Sequence, residues 1–184
     1  MIRNHHSMEN SELRYIQKLI SHTEESIRYF SISMKAERER SVCAALLRCL
    51  GVVFEPRDIE AISNDPPDVK FYLARFEVIE IYDKKRKRHD EYKDRLKELQ
   101  KAKTINETLI PYESPKPISY HELSTEITRA LGIKSRKYGK RFCATLDALV
   151  SIGLSNHFLD IRSEIPDYVE LMDQGWRSVS FVMP

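Results

Sequence analysis

Apolar positions along this chain keep helical spacing in some stretches and strand spacing in others, and the switches between the two outline its elements. Over residues 11–30, Leu13, Ile16, Leu19, Ile20 and Ile27 share one helical face. Residues 34–50 predict a second helix with Val42, Cys43, Leu46, Leu47 and Leu50 inward and Gly51 as its stop. Glu39 belongs to that inward face, four residues before Cys43. The run "VVFEP" predicts a short strand. Residues 68–72 and 76–82 predict two more, joined by a tight turn around Leu73-Ala74. "RFEVIEI" carries bulky residues on both faces, which suits a central strand covered on both sides.

Helical spacing returns after Asp83 and lasts to about residue 103, with His89, Tyr92, Leu96 and Leu99 on one stripe. "TINETLIPYESPKPI" contains three prolines and reads as a connection between lobes. "SYHE" fits a capping box, with Ser119 as N-cap and Glu122 three residues on, opening a helix that runs to Leu131 and stops at Gly132. A further helix is predicted over about residues 136–154, with Phe142, Leu146, Leu149 and Val150 inward. "EIPDYVELMDQG" predicts a short helix opened by Pro166 and closed by Gly175. "WRSVSFVM" alternates like a strand that rejoins the sheet. The pattern predicts one domain over residues 11–184 with a helical insertion at about 119–155, preceded by ten polar, disordered residues.

Composition narrows the function classes only slightly. The 184 residues are 41% hydrophobic and contain five glycines, which suits an ordered, helix-rich globule. Charged residues reach 32%, yet the net charge is +2, so any nucleic-acid surface must come from local clustering. No apolar run approaches the ~18 residues of a membrane span, which excludes a membrane partner. Three cysteines (Cys43, Cys49, Cys143) without CxxC spacing point to buried thiols in a reducing cytoplasm.

The chemistry is concentrated in "NDPPDVKFYLARFEVIEIYDKKRKRH". Glu77 interrupts an apolar strand, where an unpaired buried carboxylate would be costly, so a metal or a lysine must compensate it. With the turn centred on Leu73-Ala74, Lys70 faces Glu77 and Asp68 faces Ile79, all on one side of the hairpin. A one-residue slip would bring Glu80 beside Asp68 instead. "YLAR" has no Gly or Asn to pin a two-residue loop, so the register stays open. Plainer readings also stand: Lys70 as a cross-strand stabiliser, Asp68 as a turn former, and Glu39 as an exposed helix-start charge.

Helix, short strand, strand with Pro-Asp, strand with a carboxylate, helix: this order, with "PPDVKF…RFEVIE", "RHDEYK" and the closing "QGWRSVSFVM", resembles the PD-(D/E)XK, or restriction-endonuclease-like, superfamily. It is closest to a family of uncharacterised bacterial proteins described as endonucleases of that fold. The resemblance implies an α/β architecture, a mixed β-sheet flanked by helices, and a chain that continues beyond the last strand. It also implies that Asp68 and Glu77 hold Mg²⁺, whose preference for hard oxygen ligands and retained waters suits hydrolysis. A lysine is expected two residues after the glutamate, where this chain has Ile79. Lys70 is the proposed substitute, and Glu39 the extra acid such nucleases take from the preceding helix.

Two basic segments bear on DNA. Residues 84–103 hold ten Lys or Arg against four Asp or Glu, including the run Lys84, Lys85, Arg86, Lys87, Arg88, with His89 and Tyr92 on the inward stripe. A phosphate backbone would pass there with salt-dependent affinity; a solvated face of i,i+4 ion pairs is the alternative. "KSRKYGKR" places Lys134, Arg136 and Lys137 at the start of the expected helix after Gly132, where cations oppose the macrodipole unless an anion binds. That pair of helices also resembles a helix-turn-helix. The expected function is Mg²⁺-dependent cleavage of DNA, with a homodimer left open. The alternative, supported by Ile79, is a catalytically inactive nuclease-like protein that binds nucleic acid or a protein partner. A purely structural module would leave the basic run idle.

Overall fold

The computed structural model describes residues 3–63, 66–83 and 87–183, and the chain divides into two compact units. The first comprises Met1–Lys35 and Lys85–Glu113, the second Ala36–Lys84 and Ser114–Pro184.

In the first unit, α1 (Arg3–Tyr29) packs on α3 (Arg88–Lys101). Helix α1 starts within the stretch expected to be disordered, and α3 starts after Lys87 rather than after Asp83. The predicted inward stripe of α3 holds: Leu99 is buried, and Tyr92 stacks on Phe30 with ring centroids 5.6 Å apart. A short 3₁₀ turn, Asn106–Thr108, follows, and the Arg95 guanidinium donates to the Thr108 carbonyl.

The second unit is built on a five-stranded mixed sheet of order β1-β2-β3-β5-β7. Strands β1 (Ile59–Ala61), β2 (Val69–Phe71) and β3 (Ala74–Tyr82) are antiparallel neighbours, while β5 (Asp147–Gly153) and β7 (Ser178–Val182) run parallel to β3. The alternation in "RFEVIEI" separates two cores. Phe76 and Val78 face α2 (Lys35–Cys49), which contributes Cys43, Leu46 and Leu47. Ile79 and Ile81 face α4 (Tyr120–Tyr138), which contributes Leu123, Ile127 and Leu131. A second, two-stranded sheet pairs β4 (Lys116–Ile118) with β6 (His157–Leu159) in parallel.

Several expectations are corrected. "VVFEP" is not a strand; the chain reaches β1 through a 3₁₀ turn at Pro56–Asp58. The helix expected over 136–154 is mostly β5, the fully covered middle of the parallel ladder. Phe142, Leu146, Leu149 and Val150 imitate helical spacing, but a short run that is apolar at every position has no period of its own. Gly132 does not stop α4, which continues to Tyr138 and ends at Gly139, whose φ is 84°. An ideal Cβ on Gly132 would lie 3.0 Å from Gln174 Oε1, so this glycine serves packing inside the helix. With no turn there, the helix-turn-helix disappears. The short helix near the end shrinks to α6 (Val169–Met172), while α5 (Lys140–Cys143) forms one turn before β5. The capping box at Ser119 and Glu122 and the closing strand are as expected.

Asp147, at the start of β5, ties its neighbours together. It accepts from Arg177 Nε at 2.9 Å, from a second Arg177 nitrogen, from Ser178 Oγ at 2.8 Å and from the Arg75 N–H at 3.2 Å. Burial alone would raise this carboxyl, but the Arg177 and Ser178 bonds outweigh it and hold Asp147 below the ordinary carboxylate range. A depressed folded-state pKa contributes stability that is complete above the unfolded value of about 4 and lost as pH falls through the folded value. Urea unfolding of wild type should therefore lose stability on acidification below about pH 4, and Asp147→Asn should be less stable at neutral pH with a flatter acid limb. An unchanged acid limb in the variant would remove Asp147 from the account.

Candidate functional site

The second unit carries one buried carboxylate centre whose members come from β2, β3 and α4. The hairpin turn occupies Tyr72-Leu73, with Tyr72 at φ 50°. The register is consequently Val69↔Phe76, Lys70↔Arg75 and Phe71↔Ala74, two residues away from the expected pairing. An even shift preserves which face each side chain occupies, so Glu77 still points toward α4, but Lys70 no longer faces it. Asp68 sits at the entrance to β2 and is 3% exposed. Its N–H donates to the Phe76 carbonyl at 3.0 Å, and its Oδ2 accepts from the Val78 N–H at 2.9 Å. Those bonds clamp it on β3 on either side of Glu77.

Glu77 is completely buried, and the cation it needs comes from α4. Lys134 Nζ lies 2.5 Å from Glu77 Oε1, and Tyr138 Oη donates to the same oxygen at 2.9 Å. Lys134 and Tyr138 are four residues apart, on one face of the helix that covers β3. Glu77 Oε2, by contrast, has no hydrogen-bond partner among the described residues. Burial pushes the Glu77 carboxyl above its ordinary range and the Asp68 charge adds to this, while Lys134 and Tyr138 pull the other way. Glu80 is exposed on the opposite face, which settles that Glu77 is the buried acid. Ile79 is buried in the α4-side core.

Glu39 is also buried, on α2, whose Cys43, Leu46 and Leu47 pack on the sheet face opposite Glu77. Among the described residues, no group of three or more His, Cys, Asp or Glu forms a metal cluster, so Asp68 and Glu77 stand as a pair rather than part of a triad. Arg136 and Lys137 are exposed, joined by Lys140, Arg141 and the half-exposed Phe142. Lys137 Nζ lies 4.8 Å from the Tyr138 ring centroid, which connects this basic surface to the buried centre. Because α4 continues through Gly132, Arg136 and Lys137 occupy its last turn, where cations complement the macrodipole. The anticipated helix-start conflict is absent, and with it the requirement for an anion.

In the other unit, Lys87 is exposed, the Arg88 guanidinium lies 5.2 Å from the Phe30 ring centroid, and His89 Nδ1 is 3.2 Å from the Ile27 carbonyl oxygen. His89 is thus a packed, partnered histidine. Lys84, Lys85 and Arg86 lie outside the described residues. Sequence reasoning missed Tyr138 and gave Lys134 only a phosphate-binding role. The signal was their i,i+4 spacing, hidden by reading Gly132 as the end of the helix.

Fold and site together define a mixed α/β protein with an acid pair and a lysine buried beneath a basic surface. The chain belongs to the family DUF1780, described as "Putative endonuclease, protein of unknown function", which it matches over residues 11–184. Among solved structures, it is similar to a protein of unknown function from Pseudomonas aeruginosa strain PAO1, described as of the monooxygenase superfamily. The two share 28% identity and a TM-score of 0.63, over 93% of this chain and 80% of that one. No curated protein matches the chain. No helix among the described residues is long and apolar enough to cross a membrane.

Removing Lys134 would leave a wholly buried carboxylate uncompensated. Lys134→Met should therefore cost about 2 kcal/mol, the lower part of the range for broken buried pairs because the lysine is partly exposed. Combining it with Glu77→Gln should restore most of the loss. Denaturant unfolding of the four proteins measures this coupling; additive effects would mean that the pair is not energetically linked.

Proposed function

We propose that the protein is a metal-dependent phosphodiesterase acting on DNA, of the PD-(D/E)XK type, with its lysine relocated to Lys134. The observation that carries this reading is the asymmetry of Glu77. One oxygen is held by Lys134 and Tyr138, and the other is buried, unpartnered and near Asp68. A buried carboxylate oxygen without a donor is costly unless something else compensates it. Asp68 and Glu77 are hard oxygen donors that suit Mg²⁺, which commonly uses one or two carboxylates and keeps its waters. When bound, the ion would supply Lewis-acid stabilisation of a phosphoryl oxygen and a more acidic water. The order of the elements and the family description support the nuclease type.

The chain's own residues would divide the work simply. Asp68 and Glu77 hold the cation. Lys134, keeping its proton at Nζ, donates to the phosphate as negative charge grows in the transition state, the role expected of the lysine absent at Ile79. Lys137, Lys140, Arg141 and Arg136 neutralise backbone phosphates without reading bases, and Lys87 and Arg88 are further candidates for such contacts. Lys70, paired opposite Arg75, is spared a catalytic role.

The decisive assay incubates plasmid, linear and single-stranded DNA with wild type, Asp68→Ala, Lys134→Met and Lys70→Ala, with Mg²⁺ or Mn²⁺ and with chelator. Cleavage should require the metal, fall by about 100-fold or more in the first two variants, and persist in Lys70→Ala. Inert wild type, or an equally active Asp68→Ala, ends the catalytic reading. A second reading, a nuclease-like protein that binds nucleic acid without cutting it, is favoured by the core-packed Ile79. It would then be marked by DNA affinity that falls steeply with salt.

A further inference from the structure

A cavity of about 540 Å³ opens at the carboxyl ends of β3 and β5, between the start of α4 and the β4–β6 sheet. It is separate from the Glu77 centre. Helix α4 crosses β3 with Lys134 over Glu77 and Thr125 near Ile81, and nine residues of helix span ~14 Å. The region outside the carboxyl ends of neighbouring parallel strands is the usual ligand crevice of open α/β sheets. Ile81 and Ile118 are buried and form an apolar floor.

The polar groups around that floor offer acceptors, because their donors are already committed. His157 Nδ1 lies 2.9 Å from Asp83 Oδ1. Asp83 also accepts from the Ser155 N–H and Oγ, each at 2.9 Å. Burial would raise Asp83, but the Ser155 and His157 bonds outweigh it and keep the carboxyl below its ordinary range. An ionised carboxylate can only accept, so Nδ1 carries the proton and Nε2 of the neutral ring is an acceptor. Thr125 spends its hydroxyl proton on the His121 carbonyl at 2.9 Å, leaving lone pairs toward the cavity. Glu126 adds a half-buried carboxylate that also accepts from Arg129. The donors, Lys116 and His121, are exposed residues. Glu122 is engaged by the Ser119 N–H and hydroxyl, so the capping box already occupies the helix end that might otherwise take an anion.

We infer that this cavity is a binding site for a small organic cation, an amidinium, guanidinium or ammonium carried on an apolar body. The apolar part rests on Ile81 and Ile118, and its N–H groups meet Asp83, Glu126, Thr125 and His157 Nε2. Acceptors at depth, with the only fixed positive charge on an exposed lysine, select against an anion of the same shape, because its carboxylate would be buried without donors. Neither the acid pair at Asp68 and Glu77 nor any nuclease activity is involved.

The test is calorimetric titration of the full chain at pH 8, above the ordinary histidine range, with benzamidine, benzoate and benzyl alcohol as probes of one shape and three charges. Benzamidine should bind saturably, and benzoate should bind at least 10-fold more weakly. Glu126→Gln and Asp83→Asn should each weaken benzamidine about 10-fold, and Thr125→Trp, which fills the cavity from a surface position on α4, should abolish binding. Because Asp83 also braces Ser155, the Glu126 and Thr125 variants decide the matter if Asp83→Asn fails to fold. No binding of benzamidine at millimolar concentration, equal binding of benzoate, or retention by Thr125→Trp overturns the proposal.

Discussion

The burial of Glu77 is the constraint on which the second unit turns. A carboxylate at the centre of a sheet, with no solvent contact, is tolerable only if another element brings a cation to it. Lys134 and Tyr138 do so from α4, and they can reach the strand only because α4 lies flat on the Ile79–Ile81 face. Gly132 keeps that helix close to Gln174, and Leu123, Ile127 and Leu131 press the rest of it onto β3 and β5. The apolar contacts hold the helix in place, and the ion pair gives that packing a chemical purpose. A hydrophobic residue at position 77 would make a simpler core, so the acid is retained against the interest of stability.

The same face of the sheet carries two environments of opposite character. At the amino end of β3, acid meets lysine and tyrosine, with Arg136, Lys137, Lys140 and Arg141 exposed nearby. At its carboxyl end, Asp83 and Glu126 border an apolar cavity rich in acceptors. The antiparallel run of α4 along β3 creates this polarity, with its basic last turn at one end and its acid-capped first turn at the other. Each arrangement also agrees with the helix macrodipole.

Much of this was legible in the sequence because period and capping are local properties. Glu77 inside "RFEVIEI" was legible as a costly buried acid, and Asp68 after two prolines as its companion. The inward stripes of α2 and α3, the Ser119 capping box and the closing strand follow from side-chain spacing alone. Residues 147–153 were misread for a physical reason: a strand covered on both faces is apolar throughout, and nothing in its spacing distinguishes it from a buried helix. The hairpin register slipped by two because Tyr72 accepts a positive φ that a sequence without Gly or Asn gives no reason to expect.

The chain by itself determined that a carboxylate would be buried in a central strand, that a cation must answer it, and that basic segments would lie nearby. Only the tertiary structure decided which cation that is. Lys70 and Lys134 are equally plausible partners on charge, and the choice depended on a two-residue shift in a hairpin and on a helix continuing through a glycine. Both are set by packing across the sheet, between residues 57 apart in sequence, and local propensity carries no information about such pairings.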